Sequence, residues 1–312
     1  MTILLGVDGG GTSTDVRLAS PGGRVLGRGK AGPSNAKAVG LDRARQALAD
    51  AIASAFADAA LEPRPVASAC LGLAGFDRPD ERHVLLSWAT DSQWADRLTL
   101  VNDGDLVVAA GTPEGAGIGV IAGTGSIAVG RAPDGRKARA GGWGHLIGDE
   151  GSAYAVVIDA LRLVTRRVDG CEPAPTPDPL ADRLCRALGV PDPSVIVSAV
   201  YAPGLDRTGI AALAPEVLAA AEEAPELVDR LLRPAGEALG KQVLAVARKL
   251  GWPAGPLPLA LAGGFLLSAP AVSSALVDTL ASAGFAPHAT PVPEPVRGAV
   301  VLAERALASA GG

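Results

Sequence analysis

The chain has 312 residues, 48% of them hydrophobic and 20% charged, which is enough to bury the cores of two ordinary domains and excludes a disordered protein. A net charge of −5, a pI near 5.3 and only 3% aromatic residues exclude the basic, stacking-rich face of a nucleic-acid binder. No stretch approaches the roughly 20 uninterrupted apolar residues that span a bilayer, and Met1-Thr2-Ile3 runs into Asp8 without the basic opening of a signal peptide, so a cytoplasmic protein without a membrane partner is expected.

In chain order, Thr2–Val7, Thr14–Ala19 and Arg24–Gly29 read as three antiparallel strands joined by a Gly9–Thr12 turn and a Pro21-Gly22-Gly23 turn. Leu41–Ala60 carries Leu48, Ile52, Ala55 and Phe56 at helical spacing. Val66–Leu73 reads as a buried strand, Pro79–Thr90 as a helix with Pro79 in its first turn, and Arg97–Val101 as a further strand ending at Asn102-Asp103-Gly104. Hairpin, helix, strand, helix, strand predicts a mixed sheet covered by helices.

The pattern restarts at Gly117, with strands at Gly117–Ala122, Ser126–Arg131 and Ala138–Gly141, and the repetition predicts two related lobes. Helices follow at Ser152–Val168, Leu180–Leu188, Thr208–Glu223 and Pro225–Leu250, interrupted by a proline-rich connector from Pro173 to Pro179. Leu257–Ala262 returns to strand character before Gly263-Gly264, and helices at Ala271–Ala283 and Arg297–Ser309 close the lobe. The expected division is residues 1–114 and 115–312, with Gly32–Gly40 and Gly115–Gly117 as crossing segments and the last helix, 297–309, able to cross back to the first lobe. The apolar stripes from Thr208 to Leu250 suit packing within the lobe or across a homodimer, and periodicity does not choose between them.

Two glycine and hydroxyl turns follow strands: Asp8-Gly9-Gly10-Gly11-Thr12 and Ala122-Gly123-Thr124-Gly125-Ser126. Glycines let a backbone approach a phosphate and aim successive N–H groups at it, while Thr12 and Thr124 add hydroxyl donors, so the pair predicts a polyphosphate site. No Gly-x-x-x-x-Gly-Lys-Ser/Thr occurs, and the lysines are confined to positions 30, 37, 137, 241 and 249, so backbone and hydroxyl donors carry the phosphate. Asp8 is placed to order a magnesium ion, through water because Mg²⁺ dehydrates reluctantly; a turn-capping aspartate is the bland alternative.

Asp103 is the candidate base for an alcohol attacking a γ-phosphoryl group, a reaction that needs positioning, charge neutralisation and a proton acceptor. It could instead cap the helix beginning near Gly104, although Asn102 or Asp105 could take that cap and leave Asp103 to chemistry. The run from Gly141 to Ser152 crowds five glycines around Trp143, His145, Asp149 and Glu150, which costs too much backbone entropy for a mere connector. Trp143 offers a flat face to a sugar ring and Asp149 an acceptor to its hydroxyls, whereas Glu150 reads as a cap for the helix from Ser152 and His145 as a packed loop residue. Cys70 reads as core; Cys171 and Cys185 read as incidental, with a cluster shared across a dimer as the alternative.

These motifs, the Gly141–Ser152 run above all, resemble the actin, heat-shock chaperone and hexokinase superfamily, and within it the N-acetylglucosamine kinase branch of the BadF/BadG/BcrA/BcrD ATPases. The resemblance implies an α/β fold of two ribonuclease-H-like lobes, mixed five-stranded sheets flanked by helices, closing over ATP in a cleft between them. It implies sugar contacts from Asn35, Asp103, Gly142, Trp143 and Asp149, phosphate contacts from Gly10, Gly11, Thr12, Gly123, Thr124 and Gly125, and nucleoside contacts from Ala211, Gly263, Gly264 and Ser268. The activity it implies is ATP- and Mg²⁺-dependent phosphorylation of the 6-hydroxyl of N-acetylglucosamine or a close amino sugar. Glucosamine and N-acetylmuramic acid are alternative acceptors, and a nucleotide-gated regulator or a reductase-activating ATPase is the alternative of another class.

Overall fold

A computed structural model describes residues 1–74 and 87–309. Part of the expected helix Pro79–Thr90, residues 79–86, lies outside the described residues. The chain forms two compact units, one of Met1–Gly119 with Glu294–Gly312 and the other of Val120–Pro293. Residues 32–40, expected as a crossing segment, stay within the first unit.

The first unit holds a five-stranded sheet in the order β3-β2-β1-β4-β5, from β1 (Leu4–Gly9), β2 (Thr14–Ala19), β3 (Val25–Ala31), β4 (Ser68–Leu73) and β5 (Leu98–Asn102). β1 pairs antiparallel with β2 and parallel with β4, as the short turn before β2 and the long helical crossover before β4 require. Alternate residues of the central β1 feed two cores. Leu5 and Val7 pack with Leu48, Ile52 and Phe56 of the helix Leu41–Asp58, whereas Leu4 packs with Leu106, Ala299 and Ala303. The helix Val296–Ala308 thereby closes the second face of this sheet.

The Leu41–Asp58 helix lies directly on β3, where a Cβ at Gly29 would stand 1.9 Å from the carbonyl oxygen of Ala51. Gly29→Ala must push helix and strand apart, so we expect it to lower stability by about 1–3 kcal/mol in urea denaturation, with a neutral result showing that this helix is not seated so tightly.

The second unit repeats the plan with β6 (Gly117–Ala122), β7 (Ser126–Arg131), β8 (Lys137–Gly141), β9 (Gly255–Ala262) and β10 (Phe285–Pro291) in the order β10-β9-β6-β7-β8. With the second sheet read from its other end, each orders its strands third, second, first, fourth, fifth. β10 carries no strand signature in the sequence because Pro287 and Pro291 look like loop residues; an edge strand tolerates them, since no outer neighbour needs their missing N–H. One expected helix is broken by proline. Thr208–Glu223 divides into Arg207–Ala211 and Ala214–Glu223 because Pro215 cannot donate to the carbonyl of Ala211. The expected helix Pro225–Leu250 is continuous to Leu250, with a π-helical turn at Val228–Leu232 that leads into Arg233–Leu250 and accommodates Pro234. Among the described residues no helix is long and apolar enough to cross a membrane.

Candidate active site

In the first unit the parallel registers set Asp8 beside Gly72 and Gly72 beside Val101, so Asp8, Asn102 and Asp103 emerge at one carboxyl edge of the sheet. Asp8 lies within β1 instead of just after it, because pairing with Asp15 and Gly72 carries the strand through Gly9. The first glycine turn is closed by Gly10 N donating to Ser13 O at 2.9 Å. Its Gly10 carbonyl also accepts from the amides of Ser34 and Asn35 at 3.1 and 3.2 Å, which ties the segment carrying Asn35 to the turn. Gly11 and Thr12 are exposed at its tip.

Burial pushes the Asp8 carboxyl up to about 7, and the nearby charges of Asp103 and Asp15 add to the shift. Asp103 therefore lies close enough to Asp8 for their charges to interact. Asn102 takes the helix cap, one of the two residues the sequence offers for it, with the Gly104 amide donating to Asn102 Oδ1 at 3.0 Å; the same amide also donates to Asp103 Oδ1 at 2.9 Å, so Asp103 shares in the cap. An aspartate at the first helical position is short enough to fold back onto the next amide.

In the second unit the turn between β6 and β7 is closed by Gly123 N donating to Gly125 O at 3.0 Å, and Gly123 O accepts from Ala153 N at 2.9 Å. The helix Ala153–Val168 thus begins directly against the turn that carries Thr124. Gly263 closes in from β9: with φ of 95° and a would-be Cβ 2.3 Å from Ala122 O, only glycine fits there. Gly264 is exposed beside it, Ala211 is buried in the short helix Arg207–Ala211, and the Ser268 hydroxyl donates to Phe265 O at 3.1 Å.

The run from Gly141 to Ser152 divides into an exposed tip and a buried base. Trp143 is 65% exposed, with the Arg139 guanidinium 5.5 Å from its ring centroid. His145 is exposed against the edge of Tyr154, not packed as expected, because the loop projects outward at this point. Gly142 anchors the loop by donating to Ser126 O at 3.0 Å. At the base Asp149 is buried at φ 62°, accepting from Ser126 N at 3.2 Å and from Arg207 Nη2 at 2.7 Å. Ser152, not Glu150, caps the following helix, accepting from Ala155 N at 3.2 Å, since the cap position belongs to the residue just before the first helical turn. Glu150 instead contributes its carbonyl, which accepts from Ser126 Oγ at 2.7 Å.

In the sequence Arg207 is one of many scattered arginines, and its one signal is that it stands a helical turn before Ala211. The cysteines do not act alike. Cys70 is buried in β4, Cys171 is exposed, and Cys185 is buried in the helix Pro179–Leu188. Burial, then the charges of Asp192, Asp182 and Asp178, push the Cys185 thiol up, away from the thiolate that an iron–sulfur ligand requires.

A family profile of the BadF/BadG/BcrA/BcrD ATPase family matches residues 5–303. The N-acetylmuramic acid/N-acetylglucosamine kinase of Clostridium acetobutylicum is 29% identical over 85% of this chain and 86% of its own length. The N-acetyl-D-glucosamine kinase of Dictyostelium discoideum is 30% identical over 80% of each chain. Among solved structures, a candidate N-acetylglucosamine kinase from Chromobacterium violaceum superposes with a TM-score of 0.74 at 32% identity, covering 97% of this chain and 99% of that one. With both sheets, both glycine turns and nearly the full length accounted for, this chain belongs to the BadF/BadG/BcrA/BcrD ATPase family, with the two-sheet architecture of actin-like ATPases.

Proposed function

We propose that the protein is an ATP-dependent kinase that transfers the γ-phosphoryl group to the 6-hydroxyl of N-acetylglucosamine or a closely related amino sugar. The observation that carries this reading is the carboxylate pair at the end of the first sheet, Asp103 near a half-buried Asp8, next to a glycine turn that also holds the Asn35 segment. The kinase names of the relatives, matched over at least four-fifths of the chain, support an amino-sugar acceptor.

In this reading Asp103 accepts the hydroxyl proton as the new P–O bond forms and the bond to ADP breaks. Asn35, Gly142, Trp143 and Asp149 orient the sugar. Gly10, Gly11, Thr12, Gly123, Thr124 and Gly125 bind the phosphates, and Ala211, Gly263, Gly264 and Ser268 hold the nucleoside.

The residues fit a magnesium ion. Among the described residues no three or more His, Cys, Asp or Glu form a ready-made cage, and Mg²⁺ commonly takes one or two carboxylates with phosphate oxygens and water. Asp8, whose charge is penalised by burial and two like neighbours, is the carboxylate with most to gain from a cation. Bound there, Mg²⁺ would neutralise charge on the β- and γ-phosphates.

Coupled ADP release measured with N-acetylglucosamine, glucosamine, N-acetylmuramic acid, glucose and no sugar tests the assignment. We expect N-acetylglucosamine to give the largest kcat/KM. Since the Clostridium relative carries both N-acetyl sugars in its name, N-acetylmuramic acid is the expected second acceptor. ADP formation that no sugar accelerates would instead identify a nucleotide-gated regulator.

A further inference from the structure

The Arg207–Asp149 pair lies on the α-carbon of Gly125, inside the second glycine turn. A Cβ at Gly125 would meet Arg207 Nη2 at 2.2 Å and both Asp149 carboxylate oxygens at 3.0 Å. The guanidinium thus sits against the backbone that the preceding section assigns to phosphate, while its partner is the carboxylate assigned to sugar. Its side chain is 36% exposed against 4% for Asp149, so solvent reaches the arginine and not the acid. Its Nε is buried with no hydrogen-bond partner. A buried N–H left unmade is costly, and a guanidinium offers a planar fork suited to two phosphate oxygens, of which the bond to Asp149 uses one Nη2 donor. The backbone beneath it is fixed, because Asp206 caps this short helix by accepting from Gly209 N at 2.9 Å, so any exchange of partners is confined to the side chain.

We propose that Arg207 is a phosphate-binding residue that couples the two substrates: a nucleotide phosphate at the Gly123–Gly125 turn takes over its guanidinium, and Asp149 is released to accept hydrogen bonds from the sugar. The proposal rests on the kinase reading above for the identity of the sugar. Asp149 keeps its second anchor, the Ser126 amide, so the carboxylate stays in place when the arginine turns away. A ligand shifts such an equilibrium only by its differential affinity for the two arrangements, and phosphate supplies that difference because it competes for the same cation. By linkage the coupling is reciprocal.

Isothermal titration of the full chain with N-acetylglucosamine, alone and with a non-hydrolysable ATP analogue, measures the coupling, and titration with adenosine provides a ligand without phosphate. We expect the analogue to tighten sugar binding about tenfold in the wild type, as a typical coupling energy gives. Arg207→Ala should remove that tightening and weaken the analogue tenfold or more while leaving adenosine affinity unchanged. Equal weakening of adenosine and analogue would show a merely structural arginine, and unchanged analogue affinity with intact coupling would also overturn the proposal. Should Arg207→Ala fail to fold, Asp149→Asn decides: the freed guanidinium should bind the analogue more tightly, and weaker binding sinks the idea. A wild type that binds the analogue but no amino sugar overturns the kinase reading, and the adenosine comparison then still decides the phosphate role of Arg207.

Discussion

Asp103→Asn is expected to leave N-acetylglucosamine binding largely intact and to lower kcat by about 10²–10⁴, the usual contribution of a positioned general base. The substitution is nearly isosteric, and an asparagine Oδ1 can still accept from the Gly104 amide, which Asp103 now meets at 2.9 Å. The first turn of the helix Asp103–Gly111 is therefore preserved, so the loss falls on proton transfer and not on folding. A drop in kcat with little change in the sugar dissociation constant is the expected signature. Turnover retained within a few-fold would remove Asp103 from the role of base.

Asp8→Asn should separate stability from activity. In the folded chain the Asp8 carboxyl is raised from 3.8 to about 7, chiefly by burial. Between those two values the native state holds a proton that the unfolded state has lost, so stability falls as pH rises through the window and is lowest above it. A shift of about three pK units corresponds to about 4 kcal/mol at most. Urea denaturation in chelator at pH 4.5 and pH 8 should show the wild type losing stability across the window by up to that amount, with much of the slope missing in Asp8→Asn. The variant is thus more stable than wild type at pH 8 and about equal at pH 4. Its turnover should nevertheless fall by two or more orders of magnitude, and millimolar Mg²⁺ should stabilise wild type at pH 8 but not the variant. Parallel stability curves for the two proteins would show that Asp8 is not a charge held at a cost, and a magnesium effect that survives in the variant would place the cation elsewhere.

Together these two aspartates describe a site whose charge is kept under tension. Asp8 and Asp103 stand at the ends of β1 and β5, with β4 between them, because parallel pairing of β1, β4 and β5 leaves their carboxyl termini on one edge. In the proposed function, a cation held at Asp8 would relieve the repulsion that burial amplifies, so binding it would stabilise the folded sheet.

Much of this was legible without coordinates. Apolar patterns and turn residues located nine of the strands, and Asn102 caps the helix after β5 as the sequence offers. Such signals are local, carried by a few neighbouring residues and by the backbone angles that glycine and proline allow. What escaped was either a local signal overruled by position in the sheet, as with β10, or a proline break that an apolar stripe concealed, as at Pro215.

The order of residues by itself determined the two glycine turns, the acidic turn after β5, the repeated strand pattern and, through them, the family. Only the tertiary structure decided which charges meet: Asp8 with Asp103 across an intervening strand, and Asp149 with Arg207 across 58 residues of chain. It also decided that the helix Val296–Ala308 completes the first sheet's core. Turn and helix propensities act over a few bonds, whereas burial, charge pairing and close packing depend on distances that exist only once the chain has folded.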